Sequence, residues 1–315
     1  MSMTKLAFMF PGQGSQTVGM GKEIFEQHDE VKSLFRRADE LLGKSLTNIM
    51  FEGPKELLTE TENTQPALLL HSVAVHEILK KHNIQASMTV GHSLGEYSAL
   101  VAAGVMSVEE ALPLVATRGK LMEAALPSGK GTMAAVLGLD EEKIQSVIDE
   151  FSNEEIVDIA NLNCPGQIVI SGSRIGIENI TDKLTEAGAK RVILLNVSGP
   201  FHSRFMKEAN DEFATHLDEV NFHDGEVPTY ANVSAKPVQN KDEVKKLLLQ
   251  QLYSPVRFEQ SIRQMIDDGA DAFVEVGVGK VLSGLVRKID RKVKTFSVQD
   301  DASLQKFLQW YKEVN

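Results

Sequence analysis

The order of strand-like and helix-like segments constrains the fold of this 315-residue chain more than any other feature. Short apolar runs at residues 5–10 and 88–90 each end in a glycine-rich turn and are followed by helical patterns. Strand-like runs near residues 229–232, 272–276 and 294–298 continue the alternation in the C-terminal third. Strands that alternate with helices predict an α/β fold with a mainly parallel sheet.

A different order interrupts this alternation in the middle of the chain. It consists of a strand, a helix, two strands around an Asn-Cys-Pro-Gly turn, a second helix and a last strand. This β-α-β-β-α-β order is the signature of a ferredoxin-like unit. We therefore predict a ferredoxin-like subdomain at residues 129–197, inserted into a parallel-sheet domain formed by residues 1–128 and 198–315.

Composition and charge exclude several classes of protein. The chain has 33 Lys and Arg against 44 Asp and Glu, and a net charge of −11 argues against a general nucleic-acid binder. No apolar run approaches the roughly 20 residues of a membrane helix, and residues 1–10 lack the features of a signal peptide. The single cysteine, Cys164, excludes an internal disulfide and a multi-cysteine zinc site. We expect a cytoplasmic protein without a bound metal.

Residues 91–95, Gly-His-Ser-Leu-Gly, match the G-x-S-x-G pattern of a nucleophile elbow. In an elbow, a strand turns sharply into a helix so that the serine hydroxyl projects, and glycines permit the close backbone approach. Here an apolar strand precedes the pattern and a helix of small residues follows it, as an elbow requires. Ser93 is therefore a candidate nucleophile, with a purely structural turn as the alternative.

A nucleophilic serine needs a base, and the chain has eight histidines. His71 and His76 lie along a predicted helix, where packing is the simpler role, and the side chain of His92 would point away from the serine hydroxyl. His202 follows a predicted strand and precedes a helix, at the edge of the sheet where α/β proteins place their sites. His202 is the best candidate for a general base.

The other glycine-rich turn, residues 11–16, does not fit phosphate-binding patterns. Met20 stands where a Walker A motif needs lysine, and Thr17 stands where a dinucleotide fingerprint needs glycine. The turn is better suited to supplying a backbone N–H group to an oxyanion, although an ordinary tight turn is an equal alternative.

Six motifs then occur in order along the chain. They are Phe-Pro-Gly-Gln-Gly-Ser-Gln at 10–16, Gly-His-Ser-Leu-Gly-Glu-Tyr at 91–97, Arg-Gly at 118–119, Ala-Asn-x-Asn-x-Pro-Gly-Gln at 160–167, Pro-Phe-His-Ser at 200–203 and Gln-Leu-Tyr-x-Pro-Val at 251–256. Together they resemble the motifs of malonyl-CoA:acyl carrier protein transacylases, the malonyl transferases of bacterial fatty-acid synthesis. The resemblance implies an α/β-hydrolase-like domain with an inserted ferredoxin-like subdomain.

The resemblance also implies a role for each matching residue. Ser93 would be the nucleophile and His202 its base, while the backbone N–H groups of Gln13 and Leu94 would form the oxyanion hole. Arg118 would bind the free carboxylate of malonyl through a two-pronged ion pair, a geometry that guanidinium provides and ammonium does not.

A second set of residues would support this machinery. The Gln251 carbonyl would orient the imidazole, so the catalytic pair would be a Ser–His dyad and not a full triad. The supporting side chains would be Asn161, Asn163 and Asn232. The reaction would use no cofactor and no metal, because the coenzyme A thioester is a substrate and the phosphopantetheine belongs to the partner.

The partner implied is acyl carrier protein, which is acidic in this family and must find a basic patch on an acidic enzyme. Residues 280–294 carry six Lys and Arg against Asp290 alone. We predict docking on this segment, with Lys280, Arg287 and Lys288 as candidates. A solvated helix end with cations near its C-terminus is the alternative. A monomer is the default expectation.

Three other functions remain open at this point. A serine esterase or thioesterase could use the same elbow, but it has no use for Arg118 as a buried cation. A non-catalytic module that binds carrier proteins has no need of Ser93 and His202. A stand-alone acyltransferase of polyketide synthesis would use the same chemistry, so the residues do not separate it from the fatty-acid enzyme.

Overall fold

The computed structural model describes residues 4–127, 129–150 and 155–315. Residue 128, where the predicted domain boundary falls, and the first three residues of the N-terminal segment lie outside the described residues. Within them, no helix is long and apolar enough to cross a membrane.

The larger of two sheets has six strands in the order β10-β9-β1-β2-β7-β8. Its strands are β1 (Leu6–Phe10), β2 (Met88–Gly91), β7 (Thr229–Tyr230), β8 (Pro237–Val238), β9 (Ala272–Val276) and β10 (Lys294–Val298). All neighbours pair in parallel except β7 and β8, which pair antiparallel. The predicted mainly parallel sheet is therefore confirmed, with one short antiparallel edge strand added.

The smaller sheet is antiparallel and has four strands in the order β4-β5-β3-β6. Its strands are β3 (Gly131–Leu137), β4 (Val157–Cys164), β5 (Gln167–Ser173) and β6 (Arg191–Leu194). Helices α8 (Glu141–Asp149) and α9 (Arg174–Glu186) complete the β-α-β-β-α-β order. This unit gives the ferredoxin-like arrangement predicted from the sequence.

The other helices surround the larger sheet. They are α1 (Lys22–Gln27), α2 (Asp29–Leu42), α3 (Leu46–Glu52), α4 (Lys55–Thr59), α5 (Thr61–Lys81), α6 (Leu94–Ala102), α7 (Val108–Ala124), α10 (Lys207–Asp218), α11 (Lys241–Gln251), α12 (Phe258–Asp267), α13 (Val281–Ile289) and α14 (Asp301–Val314), with a 3-10 turn at Arg204–Met206 before α10.

Strand β1 illustrates that helices cover both faces of the larger sheet. All five of its residues are buried, and alternate side chains enter different cores. Leu6, Phe8 and Phe10 pack with helices that include α5 and α14, whereas Ala7 and Met9 pack with α12 and α13. An apolar strand without polar alternation is the pattern of a parallel strand buried between two helix layers.

Helix α5 differs from its prediction in a way that matters for the site. The apolar pattern predicts a helix over residues 66–80 with Pro66 in its first turn, but the helix begins at Thr61. The preceding polar residues resemble a loop in sequence, yet they are buried and hydrogen-bonded; for example, Thr64 Oγ1 donates to Leu58 O at 2.6 Å. The extra turn brings Gln65 into the protein interior.

Candidate active site

The site lies at the carboxyl ends of two neighbouring strands. Because β1 and β2 pair in parallel with Phe10 opposite Gly91, the turn after β1 and the elbow after β2 lie side by side. A Cβ built on Gly95 would lie 2.0 Å from the Phe10 carbonyl oxygen, and one built on Gly91 would lie 1.8 Å from the Gly95 carbonyl carbon. Only glycine permits this approach, so both glycines of the motif are explained by the elbow.

Ser93 has the positive φ of a nucleophile elbow, 52°, which is uncommon for a residue other than glycine. Asn232 holds this conformation from both sides. Ser93 N donates to Asn232 Oδ1 at 2.9 Å, and Asn232 Nδ2 donates to Gly91 O at 2.6 Å. The side chain of Asn232 is fully buried after β7, so it forms a rigid support for the elbow.

Ser93 and His202 are in direct contact. Ser93 Oγ lies 2.7 Å from His202 Nε2, and His202 Nδ1 lies 2.9 Å from the carbonyl oxygen of Gln251. Since a carbonyl can only accept, Nδ1 carries the proton and Nε2 is free to accept from the serine. Burial, reinforced by the positive charge of Arg118, lowers the pKa of His202 to about 3. The imidazole is therefore neutral at physiological pH.

Arg118 on α7 is fully buried and points at the nucleophile. Its Nη1 donates to Gln65 Oε1 at 2.8 Å, and its Nη2 donates to Gln251 Oε1 at 3.0 Å and to Ser93 Oγ at 3.1 Å. Among the described residues, these hydrogen-bond partners are amides and a hydroxyl, and no carboxylate forms an ion pair with the guanidinium. Burial lowers the pKa of Arg118, but an arginine stays charged in proteins.

The amide of Gln251 connects the parts of the site. Its Oε1 accepts from Arg118, while its Nε2 donates to Ser93 O at 3.0 Å and to Glu96 Oε2 at 2.6 Å. Burial raises the pKa of the Glu96 carboxyl to about 7, although the hydrogen bond from Gln251 and the charge of Arg118 lower it. A buried, fully partnered amide of this kind fixes the position of Arg118.

Two backbone N–H groups near the serine are free to bind an anion. Gln13 lies in the turn after β1 and lines the same cleft as Ser93 and His202. Leu94 is the first residue of α6, so its N–H has no acceptor within the helix. Neither N–H donates to another group in the described part of the chain.

The two remaining predicted asparagines belong to β4 of the small sheet. Asn163 Oδ1 lies 2.7 Å from His92 Nε2, so it holds the histidine of the elbow away from the serine. Asn161 lines the cleft and forms an isolated parallel bridge with Val256. The structure thus brings all nine predicted site residues to one cleft between the two sheets or to its immediate support.

The sequence did not single out three residues that shape the site. Gln65 accepts a hydrogen bond directly from Arg118, whereas Glu96 holds Arg118 indirectly, by accepting from the Gln251 amide. The centre of the Tyr97 ring lies 5.2 Å from the Arg118 guanidinium carbon. Glu96 and Tyr97 follow the elbow in the sequence, and Gln65 precedes the apolar run of α5. The position of a polar residue directly before Pro66 and the apolar run of α5 was the signal that could have indicated Gln65.

Comparison with known proteins supplies the family. An acyl transferase domain model matches residues 7–304. The malonyl CoA-acyl carrier protein transacylase of Bacillus subtilis is 51% identical over 314 residues, which are 99% of this chain and 99% of that protein. This chain belongs to the malonyl CoA-acyl carrier protein transacylase family.

Solved structures of malonyl transferases agree with this assignment. An acyl carrier protein S-malonyltransferase from Vibrio cholerae matches with a TM-score of 0.94 and 42% identity, covering 96% of this chain and 100% of that one. A malonyl transacylase in complex with a type II polyketide acyl carrier protein matches with a TM-score of 0.94 and 39% identity, over 97% of this chain and 99% of that one. The predicted family and fold are confirmed, and the protein is an acyltransferase of the malonyl-transferring class.

Proposed function

We propose that this transacylase moves malonyl from coenzyme A to acyl carrier protein through an ester on Ser93. The observation that carries the proposal is the buried guanidinium of Arg118, which has no carboxylate partner in the described structure and contacts the Ser93 hydroxyl. A buried cation is costly unless a counter-ion offsets it, and the free carboxylate of malonyl has the complementary charge. The site therefore recognises an acyl group that carries its own negative charge.

Acylation begins with the proton of the serine hydroxyl. As Ser93 Oγ attacks the thioester carbonyl carbon, His202 Nε2 accepts the proton, while the Gln251 carbonyl holds the imidazole through Nδ1–H. The negative charge that develops on the carbonyl oxygen is stabilised by the N–H groups of Gln13 and Leu94. The C–S bond then breaks, the imidazolium returns its proton to the sulfur, and coenzyme A leaves as a thiol.

Deacylation repeats the same steps with a new thiol. The phosphopantetheine thiol of the carrier protein gives its proton to His202, and its sulfur attacks the ester carbonyl on Ser93. The Ser93 Oγ–carbonyl bond breaks and the proton returns to the serine. The transfer is therefore ping-pong, and each half-reaction uses the same base and the same two N–H groups.

Two of the three other functions that the sequence left open fit the geometry less well. An esterase of neutral acyl groups gains nothing from a fully buried arginine beside its nucleophile. A non-catalytic module has no reason to hold Ser93 Oγ and His202 Nε2 at 2.7 Å from each other. Transfer of malonyl to a fatty-acid carrier protein in the cytoplasm by a monomer remains our proposal.

The pH dependence of acylation tests the role of His202. Burial and the charge of Arg118 lower the pKa of His202 to about 3 in the free enzyme, so the base stays unprotonated and the second-order rate constant of acylation should be flat between pH 8 and pH 5. A histidine with the ordinary pKa of about 6.5 would lose about thirtyfold of its active form by pH 5. Rapid-quench measurement with malonyl-CoA well below its half-saturation concentration checks the prediction across this range, and a thirtyfold fall would contradict it.

A folding control belongs with this pH series. A histidine with a lower pKa in the folded than in the unfolded state makes the folded state less stable as the pH falls below about 6.5. Circular dichroism at each pH therefore has to show that the protein is still folded. Loss of rate that coincides with unfolding says nothing about the base.

The proposed docking segment, residues 280–294, contains α13. All six of its Lys and Arg side chains are exposed. Arg287 Nε donates to Thr295 Oγ1 at 2.8 Å, and Lys288 Nζ donates to Gln167 Oε1 at 3.2 Å. Since Gln167 begins β5, Lys288 lies where the large sheet's helices meet the small sheet. The exposed positive charge at this junction of the two parts of the fold supports docking of an acidic partner.

Charge reversal tests the docking proposal. Arg287→Glu should raise KM for the carrier protein about tenfold and flatten its salt dependence, because steering by opposite charges is screened by salt. Lys306→Glu is the matched control, since it makes the same charge change at an exposed position of α14, which packs on the other face of the large sheet. Carrier-protein kinetics that respond equally to the two variants across a salt series would remove the proposal.

A further inference from the structure

An ion pair joins the inserted ferredoxin-like unit, formed by β3–β6, α8 and α9, to the loop that carries His202. Arg204, two residues after His202, directs three donors to the carboxylate of Asp158 on β4. Arg204 N donates to Oδ2 at 2.8 Å, Nη2 donates to Oδ1 at 2.6 Å, and Nε lies 3.1 Å from both oxygens. One carboxylate therefore holds both the backbone and the side chain of Arg204.

The same strand holds the other segment that orients the imidazole. Val256 N donates to Ala160 O at 2.8 Å, and Leu162 N donates to Val256 O at 2.9 Å, so β4 binds the chain just beyond Gln251. The Gln251 carbonyl is the acceptor for His202 Nδ1. Strand β4 thus holds the His202 loop through Asp158 and the Gln251 segment through its backbone.

The His202 loop needs such support because its backbone is strained. His202 has a φ of 58°, in the left-handed region that residues other than glycine seldom adopt. Conformations of this kind persist at functional sites only where the surroundings determine them strongly. On the N-terminal side of the loop, Ser203 Oγ donates to Pro200 O at 2.6 Å. On the C-terminal side, Met206 N donates to Ser203 O at 2.9 Å, and Arg204 N donates to Asp158, which lies in the small sheet.

We propose that Asp158 is a positioning residue that acts through Arg204 to hold His202 against Ser93. Most exposed ion pairs contribute little, but a bidentate arginine–carboxylate pair with an added backbone N–H has the geometry in which a contribution is expected. The inserted unit then fixes the catalytic base as well as forming one wall of the cleft. This inference rests on the proposed Ser93–His202 dyad.

The test compares wild type with Asp158→Asn and Arg204→Gln, which remove the ion pair from either side. In rapid-quench acylation by malonyl-CoA, the saturating rate should fall about tenfold in both variants, because small misplacements of a catalytic group are costly. The half-saturation concentration should not change, since Arg118 and Gln65 are held by α7 and α5. Asp158→Glu, which keeps the carboxylate, should recover part of the rate.

The pH profile separates positioning from a general structural role. A His202 side chain that is less firmly held admits water, so its pKa should move up toward the ordinary value of about 6.5. The variants should then lose acylation rate as the pH falls from 7 to 5, where the wild type stays flat. If the ion pair only stabilised the fold, the variants would have a lower melting temperature but the pH profile of the wild type.

A matched control is available on α12. Arg263 pairs with Glu259 through Nε and Nη2, and the side chains are 51% and 23% exposed, against 52% and 23% for Arg204 and Asp158. Glu259→Gln should leave the saturating rate and the pH profile unchanged. If Asp158→Asn and Arg204→Gln behave like Glu259→Gln, the inference is wrong. Absence of acylation in the wild type would instead contradict the proposed function.

Discussion

Ser93→Ala is expected to reduce malonyl transfer by about 10⁴-fold or more, because it removes the atom that carries the acyl group. The His202 base, the two backbone N–H groups and Arg118 would all remain, yet none of them can form the ester. Steady-state transfer from malonyl-CoA to carrier protein measures the loss. Ser98→Ala is the matched control, since Ser98 lies on α6, the helix that follows Ser93, is fully buried and has no hydrogen-bond partner for its hydroxyl among the described residues.

The combination with His202→Ala tests whether serine and histidine act as a unit. Because every proton transfer by His202 serves the formation or cleavage of the Ser93 ester, Ser93→Ala with His202→Ala should be little worse than Ser93→Ala alone. The 2.7 Å contact between Oγ and Nε2 leads to this expectation. A double variant whose loss equals the product of the two single losses would show that His202 is not the partner of Ser93.

Arg118→Ala is expected to lower the preference for malonyl-CoA over acetyl-CoA by about 10- to 150-fold. The malonyl carboxylate loses its water when it enters the cleft, and hydrogen bonds to charged groups contribute roughly 1.5–3 kcal/mol. At about 1.4 kcal/mol per tenfold, this range gives the expected factor. Acetyl-CoA carries no carboxylate, so its kcat/KM should change much less. The ratio of the two kcat/KM values is the measurement.

The conservative variant of Arg118 adds a second check. Arg118→Lys should restore charge but only part of the malonyl preference, because an ammonium group does not form the two-pronged pair. The guanidinium in the free enzyme spans Gln65, Gln251 and Ser93, and a lysine cannot reach all three from one nitrogen. If Arg118→Ala slows malonyl and acetyl transfer equally, Arg118 serves the structure of the site and does not select the acyl group.

Much of the fold could be predicted because its signals are local. The apolar run of β1 and the glycines of the elbow act within a few residues of each other, and both predict a strand that ends at a sharp turn. The βαββαβ order is likewise visible as a change in periodicity. Helix α5 was predicted too short, because the polar residues before Pro66 find buried partners that only the tertiary structure supplies.

The candidate site also has a part that could be predicted from the sequence and a part that could not. The elbow pattern indicated Ser93, the position of His202 between a strand and a helix indicated the base, and the motif resemblance added Arg118. The contacts that hold these residues come from distant parts of the chain. Gln65 and Glu96 gain their importance from hydrogen bonds with Arg118 and Gln251, which lie 53 and 155 positions away in sequence. Asp158 and Arg204 are likewise 46 positions apart, and neither side chain carries a local signal of this contact.

The most direct test of the proposed mechanism is to find where malonyl resides between the two half-reactions. The wild-type protein is mixed with malonyl-CoA in the absence of carrier protein, quenched in acid and examined by mass spectrometry, first intact and then as peptides. The predicted result is one added malonyl group on Ser93, which disappears when carrier protein with its phosphopantetheine is added before the quench. No adduct, or an adduct on another residue such as Cys164, would contradict the account.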